Sequence, residues 1–201
     1  MKTIRVLLEM FDAINTRALL LGRTIGLVAL GLMVLVILTQ IFFRYVLNNA
    51  LPWPEEAARA LMIWMMALVA PSAYRYTGFV SIDMLHEYIP ARLKNYLILS
   101  ILLLCTFVSI IMLQNAWTHF SSPLLFDSSG LNRLLQDTGI NQLLGTQIQF
   151  RTAYIYLAMS VFLTLILMVS LELVMRQFAR LIWGNESFPS PKLPNVMAVN
   201  S

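Results

Sequence analysis

Four long apolar stretches constrain this chain more than any other feature of its sequence. Residues 25–43, 95–117 and 152–171 contain no charged side chain, and residues 57–74 contain only Arg59, near their start. A bilayer core about 30 Å thick needs about 20 helical residues, because lipid offers no partner to backbone N–H and C=O groups. The sequence therefore predicts an all-α polytopic membrane protein with transmembrane helices at 25–43, 57–74, 95–117 and 152–174.

Composition excludes several classes of protein. Hydrophobic residues make up 59% of the chain and charged residues 12%, which argues against a soluble cytosolic enzyme. The net charge of +4 is scattered between apolar blocks, so nucleic-acid binding has no support. A single cysteine, Cys105, excludes both a disulfide framework and a thiolate metal cluster.

The distribution of basic residues predicts the topology. Ten of the 14 Lys and Arg residues lie in the N-terminal segment, the second loop and the tail. The positive-inside rule then places both termini in the cytoplasm and the first and third loops outside. The first 24 residues lack an A-x-A cleavage site, so we expect them to remain in the mature protein.

Two segments have the pattern of helices that lie on a membrane surface. Within residues 1–23, apolar residues recur at helical spacing, which favours an interfacial helix that anchors on anionic lipid or braces a partner. The third loop, residues 119–151, contains a leucine-rich stretch after Gly130 that predicts a short amphipathic helix. That segment could dock on another protein or rest on lipid. Residues 175–201 form the predicted cytoplasmic tail.

The residues that usually carry chemistry are sparse. The two histidines, His86 and His119, fall on opposite faces of the predicted bilayer and cannot share a haem or a metal. No phosphate-binding loop or nucleophile motif is present, so the sequence predicts neither an enzyme nor a cofactor. The polar residues inside the predicted spans are mostly Ser and Thr, which can bond to their own helix. A small homo-oligomeric channel or transporter that uses these residues stays open as an alternative.

The densest cluster of unusual residues begins at the first loop. Pro54 suits the start of a helix, and Glu55 and Glu56 would lie in its first turn, where the helix dipole favours negative charge. Glu55 also precedes Arg59 by four residues, the spacing of a helical ion pair. These features fit a well-capped re-entry into the membrane. Together with Arg44, they fit equally well a charged rim that binds a partner helix through charge-assisted hydrogen bonds.

The chain resembles the small membrane subunit of tripartite ATP-independent periplasmic (TRAP) transporters, the DctQ-like family. The resemblance covers roughly residues 20–182 and is distinctive only between residues 44 and 92. Its motifs are Phe43-Arg44-Tyr45, Trp53 with Glu55-Glu56, Trp64, Arg75, Ile82-Asp83, Leu85 and Ile89-Pro90-Ala91-Arg92. The chain departs from the family pattern at Phe79, where members commonly have histidine, and in its longer third loop.

The resemblance implies a non-catalytic scaffold subunit in the bacterial inner membrane. Such subunits associate with a large membrane subunit that holds the substrate and sodium sites, while a periplasmic substrate-binding protein delivers an organic acid. By analogy, the residues expected to contact partners are Arg44, Trp53, Glu55, Glu56 and Arg59 outside, and Arg75 and Asp83 inside.

Overall fold

A computed structural model describes residues 2–77, 91–120, 132 and 153–183 of the chain. The described part forms four long α-helices: α1 (Lys2–Tyr45), α2 (Trp53–Thr77), α3 (Ala91–Phe120) and α4 (Ala153–Trp183). Each contains a stretch long and apolar enough to cross a membrane: Leu8–Tyr45, Trp53–Tyr76, Asn95–Thr118 and Tyr154–Ile182. The prediction of an all-α protein with four membrane-spanning helices is confirmed. The orientation of the termini stays a prediction, and the third-loop amphipathic segment lies outside the described residues apart from Asn132.

Helix α1 is longer than a bilayer requires. Its 44 residues extend about 66 Å, roughly twice the thickness of the hydrocarbon core. The sequence predicted an interfacial helix followed by a separate span from residue 25, whereas the structure has one helix through both segments. The N-terminal part also packs against the end of α4, where Leu8 is buried with Ala179 and Met175. A position in the lipid head groups stays a prediction for this segment.

Two glycines allow α1 and α2 to approach closely. A Cβ atom placed on Gly22 would lie 2.9 Å from the backbone oxygen of Leu68, and one on Gly26 would lie 2.5 Å from Cγ2 of Val69. Small residues spaced four apart let helix backbones come together in a membrane, where packing is a main source of association. The sequence already contains the Gly-x-x-x-Gly spacing of Gly22 and Gly26.

The helices pack as two pairs that α2 and α4 bring together. Helix α1 packs along α2 and α3 packs along α4, while α4 also contacts α2 and, less extensively, α1. The main core cluster joins residues from α1, α3 and α4: Leu19, Ile98, Leu102, Val169 and Leu173. Within this core the hydroxyl groups of Thr106 and Ser170 hydrogen-bond to each other, and Thr106 also donates to the carbonyl of Leu102. These hydroxyl groups therefore form hydrogen bonds within the helix bundle.

A short turn connects α1 to α2. Asn48 adopts a left-handed conformation with φ of 48°, which asparagine tolerates better than most residues, and the amide of Asn49 donates to the carbonyl of Phe43. Helix α2 then begins at Trp53, with Glu55 and Glu56 in its first turn. It continues past the buried Pro71 to Thr77, so this proline does not end the helix.

Candidate functional site

Four charged side chains form a closed ring at the end of α2. Nη2 of Arg75 donates to Oδ1 of Asp12 at 2.7 Å and to Oε1 of Glu172 at 2.8 Å. Nη2 of Arg176 donates to the same two oxygens, each at 2.9 Å. Each carboxylate therefore contacts both guanidinium groups, and the formal charges of the ring sum to zero.

Two members of the ring, Arg75 and Glu172, are almost completely buried. The side chains of Arg75 and Glu172 are 1% and 0% exposed, whereas that of Asp12 is 46% exposed. Isolated charges at such depth would carry a large desolvation cost, which ion pairing and hydrogen bonding offset only when the geometry is good. Charge-assisted bonds of 2.7–2.9 Å meet that condition.

Uncharged groups add further hydrogen bonds to the two buried members, Arg75 and Glu172. The Asn15 amide donates to Oε2 of Glu172 at 2.7 Å and to the carbonyl of Met168 at 3.2 Å. Nη1 of Arg75 donates to the hydroxyl of Thr16 at 2.8 Å, and its guanidinium carbon lies 5.5 Å from the Tyr76 ring centre. Both oxygens of Glu172 and both terminal nitrogens of Arg75 are thus bonded.

The positions of these residues explain what the ring does. Asn15 and Thr16 lie one turn after Asp12 on α1. Arg75 lies near the end of α2. Glu172 and Arg176 are four residues apart on α4. The ring therefore links three helices through directional bonds. Apolar contacts alone would leave those helices freer to slide or rotate.

Sequence reasoning identified Arg75 but not its surroundings. The family resemblance predicts a partner contact for Arg75, whereas its side chain is enclosed by the chain's own helices. Asp12, Asn15, Glu172 and Arg176 were not singled out. The available signal was Glu172, an acidic residue within the predicted fourth span, because an intramembrane carboxylate needs a partner.

The predicted rim lies at the opposite end of α2. Glu55 and Arg59 form the ion pair expected from their spacing, with 2.9 Å between Oε1 and Nη2, and both side chains are well exposed. Arg44 is exposed at the end of α1 with its guanidinium carbon 5.8 Å from the Tyr45 ring centre. Trp53 and Glu56 are half-buried. The structure therefore places five predicted contact residues at one end of the α1–α2 pair and Arg75 at the other. Asp83 lies outside the described residues.

The chain is similar to a described protein family and to a curated relative. The family model described as "Tripartite ATP-independent periplasmic transporters, DctQ component" matches residues 33–180. A protein of Vibrio cholerae serotype O1, named C4-dicarboxylate TRAP transporter small permease protein DctQ, is 25% identical over 91 residues. That match covers 45% of this chain and 39% of the relative, less than two thirds of its length. No solved structure matches the chain.

Proposed function

We propose the function of this chain from its family, since the chain belongs to the DctQ component family of TRAP transporters. It is a multi-pass protein of the bacterial inner membrane. Members of this family work with a large membrane subunit and a substrate-binding protein. In our proposal this chain is the scaffold subunit of such a transporter and carries no substrate chemistry of its own.

The closed ring of Asp12, Arg75, Glu172 and Arg176 is the observation that supports this role most directly. A subunit that anchors a moving transport domain must itself resist deformation. The ring ties three of the four described helices together with short charge-assisted bonds. We therefore include Arg75 in the proposal as an internal tie rather than as a partner contact.

We infer the substrate class and the coupling ion from the family. We propose that the complete transporter imports an organic acid and is coupled to sodium through its large subunit. The name of the Vibrio cholerae relative makes C4-dicarboxylates the first substrates to test. Specificity would then lie in the other two proteins.

Reconstitution tests the scaffold role. Proteoliposomes containing this chain alone should take up no labelled dicarboxylate under an inward sodium gradient. Vesicles that also contain the large subunit, with the binding protein added outside, should show uptake. Sodium-driven uptake or ion conductance by the chain alone would reject the scaffold role and favour the homo-oligomeric channel.

The rim gives a second test, directed at assembly. We propose that Arg44, Trp53 and Glu56 contact the large subunit at the outer end, with Asp83 contacting it at the inner end. Charge reversal by Arg44→Glu together with Glu56→Lys should weaken co-purification of the large subunit about tenfold, because like charges would replace complementary ones across the contact.

The chain offers a matched control for this reversal. Arg17→Glu with Glu9→Lys makes the same charge changes at exposed positions of α1, far from the rim. This control variant should assemble as the wild type does. The recovery of the large subunit is measured in native membranes as well as in detergent. If it is equal for the two double variants, the rim does not contact the large subunit.

A further inference from the structure

An apolar cavity of about 690 Å³ lies among α1, α2 and α4. Five of the chain's 12 methionines line it, namely Met33, Met62, Met65, Met66 and Met159, together with Ile63, Phe162 and three alanines. Met62, Met66 and Met159 are exposed, so the cavity opens at the protein surface. Its volume lies within the range of about 300–1,000 Å³ that is typical of ligand sites.

The chemistry of the lining selects an apolar occupant. All the lining side chains are hydrophobic, so no hydrogen bond or charge within the cavity would hold a polar solute. Methionine side chains are unbranched and polarizable, and they adapt to flexible apolar ligands. A hydrocarbon chain fits this description.

The length of the cavity is compatible with a lipid chain. On α2 the lining runs from Met62 to Ala70, which is about 12 Å along the helix axis. The acyl layer of one leaflet takes about half of a hydrocarbon core about 30 Å thick. The cavity therefore has about the length of one acyl chain, and a chain that starts from a head group near Arg59 would reach it.

The ion pair at the rim lies on the same face of α2 as the cavity. Glu55, Arg59, Met62, Met66 and Ala70 follow one another at spacings of three or four residues, which places them along one side of the helix. In the exposed Glu55–Arg59 pair, Arg59 thus lies about one turn and Glu55 about two turns beyond the end of the cavity. The pair presents an anion and a cation side by side at that end.

We propose that this cavity binds one acyl chain of a phospholipid with a zwitterionic headgroup that carries an ammonium. The ammonium meets the Glu55 carboxylate, the phosphate meets the Arg59 guanidinium, and the acyl chain fills the methionine-lined cavity. An anionic headgroup without an ammonium would leave Glu55 facing negative charge. The site therefore distinguishes lipids by headgroup as well as accepting their chains.

Photo-crosslinking in membranes tests the proposal on the chain alone, so its outcome does not depend on transport. The chain is placed in nanodiscs with trace phosphatidylethanolamine carrying a diazirine midway along one acyl chain, and the labelled peptides are mapped by mass spectrometry. Labelling should concentrate severalfold on residues 62–70 and 158–162, relative to the exposed apolar residues Leu35 and Phe107. A phosphatidylglycerol probe with the same chains should label these sites about threefold less, the scale of an exposed charge contact.

Two variants with matched controls separate the cavity from the headgroup site. Met66→Trp should fill the cavity and reduce its labelling, while Met112→Trp, at an exposed position of α3, should not. Glu55→Gln should reduce the preference for phosphatidylethanolamine, because the ammonium loses its carboxylate, while Glu9→Gln at an exposed position near the other end of α1 should leave it unchanged. Uniform labelling of all exposed helix faces, or equal labelling of the two tryptophan variants, would refute the site. Loss of the lipid label from these residues when the large subunit is added, while Leu35 and Phe107 stay labelled, would assign the cavity to a protein helix and overturn the lipid proposal.

Discussion

Replacing Glu172 with leucine should lower the free energy of unfolding by about 3–5 kcal/mol, the cost of breaking a buried ion pair, because two guanidinium groups would then share the single, half-exposed carboxylate of Asp12. The variant removes two acceptor contacts from the ring and leaves Arg75, whose side chain is 1% exposed, facing the new leucine. Asn15 loses its carboxylate acceptor as well. The measurement is reversible unfolding in mixed detergent micelles, followed by circular dichroism.

A double variant distinguishes lost charge pairing from lost packing. In Arg75→Leu with Glu172→Leu, the buried pair becomes apolar while Asp12 and Arg176 keep their 2.9 Å contact. Buried ion pairs can often be replaced by apolar residues at little net cost, so the double variant should be more stable than Glu172→Leu alone. Losses that simply add up would contradict the ring as a coupled unit.

The exposed pair at the rim supplies the control for this experiment. Glu55→Leu removes a carboxylate from a similar 2.9 Å contact with arginine, but both side chains there are more than half exposed. Surface pairs of this kind contribute about 0–1 kcal/mol. A loss in Glu55→Leu as large as that in Glu172→Leu would show that burial is not what makes the ring important.

The second large effect concerns the close approach of α1 and α2. Gly22→Ala should destabilise the protein by about 1–3 kcal/mol, the usual cost of overpacking, even though alanine is the better helix former. The added methyl group would lie 2.9 Å from a backbone oxygen of Leu68, so relief requires the two helices to move apart. Gly26→Ala should also destabilise, because its methyl group would meet Val69, whose β-branched side chain has few alternative rotamers.

Gly31 is the matched control on the same helix. A Cβ atom there would meet no other atom within 4 Å. Gly31→Ala should therefore leave stability unchanged or raise it by up to about 1 kcal/mol through helix propensity. Thermal unfolding of the three variants in one detergent gives the comparison. A rise in stability for Gly22→Ala equal to that for Gly31→Ala would mean that α1 and α2 do not pack closely in the membrane.

The architecture and the rim pair were accessible from sequence because their causes are local. Uncharged stretches of about 20 residues demand helices in lipid whatever their neighbours are, and the spacing of Glu55 and Arg59 brings them together on any helix. The family motifs likewise lie within one short part of the chain. Local pattern did not reveal that residues 2–45 form a single helix, because the polar residues before residue 24 have the pattern of a separate surface segment.

The charged ring and the apolar cavity depended on tertiary structure. Asp12 and Glu172 are 160 positions apart in the chain, and the carboxylates meet the same guanidinium groups only because α1, α2 and α4 pack in one particular register. The cavity likewise exists only where side chains of three helices fail to fill the space between them. Sequence alone determined that this chain must cross a membrane as helices, because lipid leaves the backbone no other choice. Which charges are neutralised inside and where space remains were decided by how the helices pack, because those properties depend on distances between residues far apart in the chain.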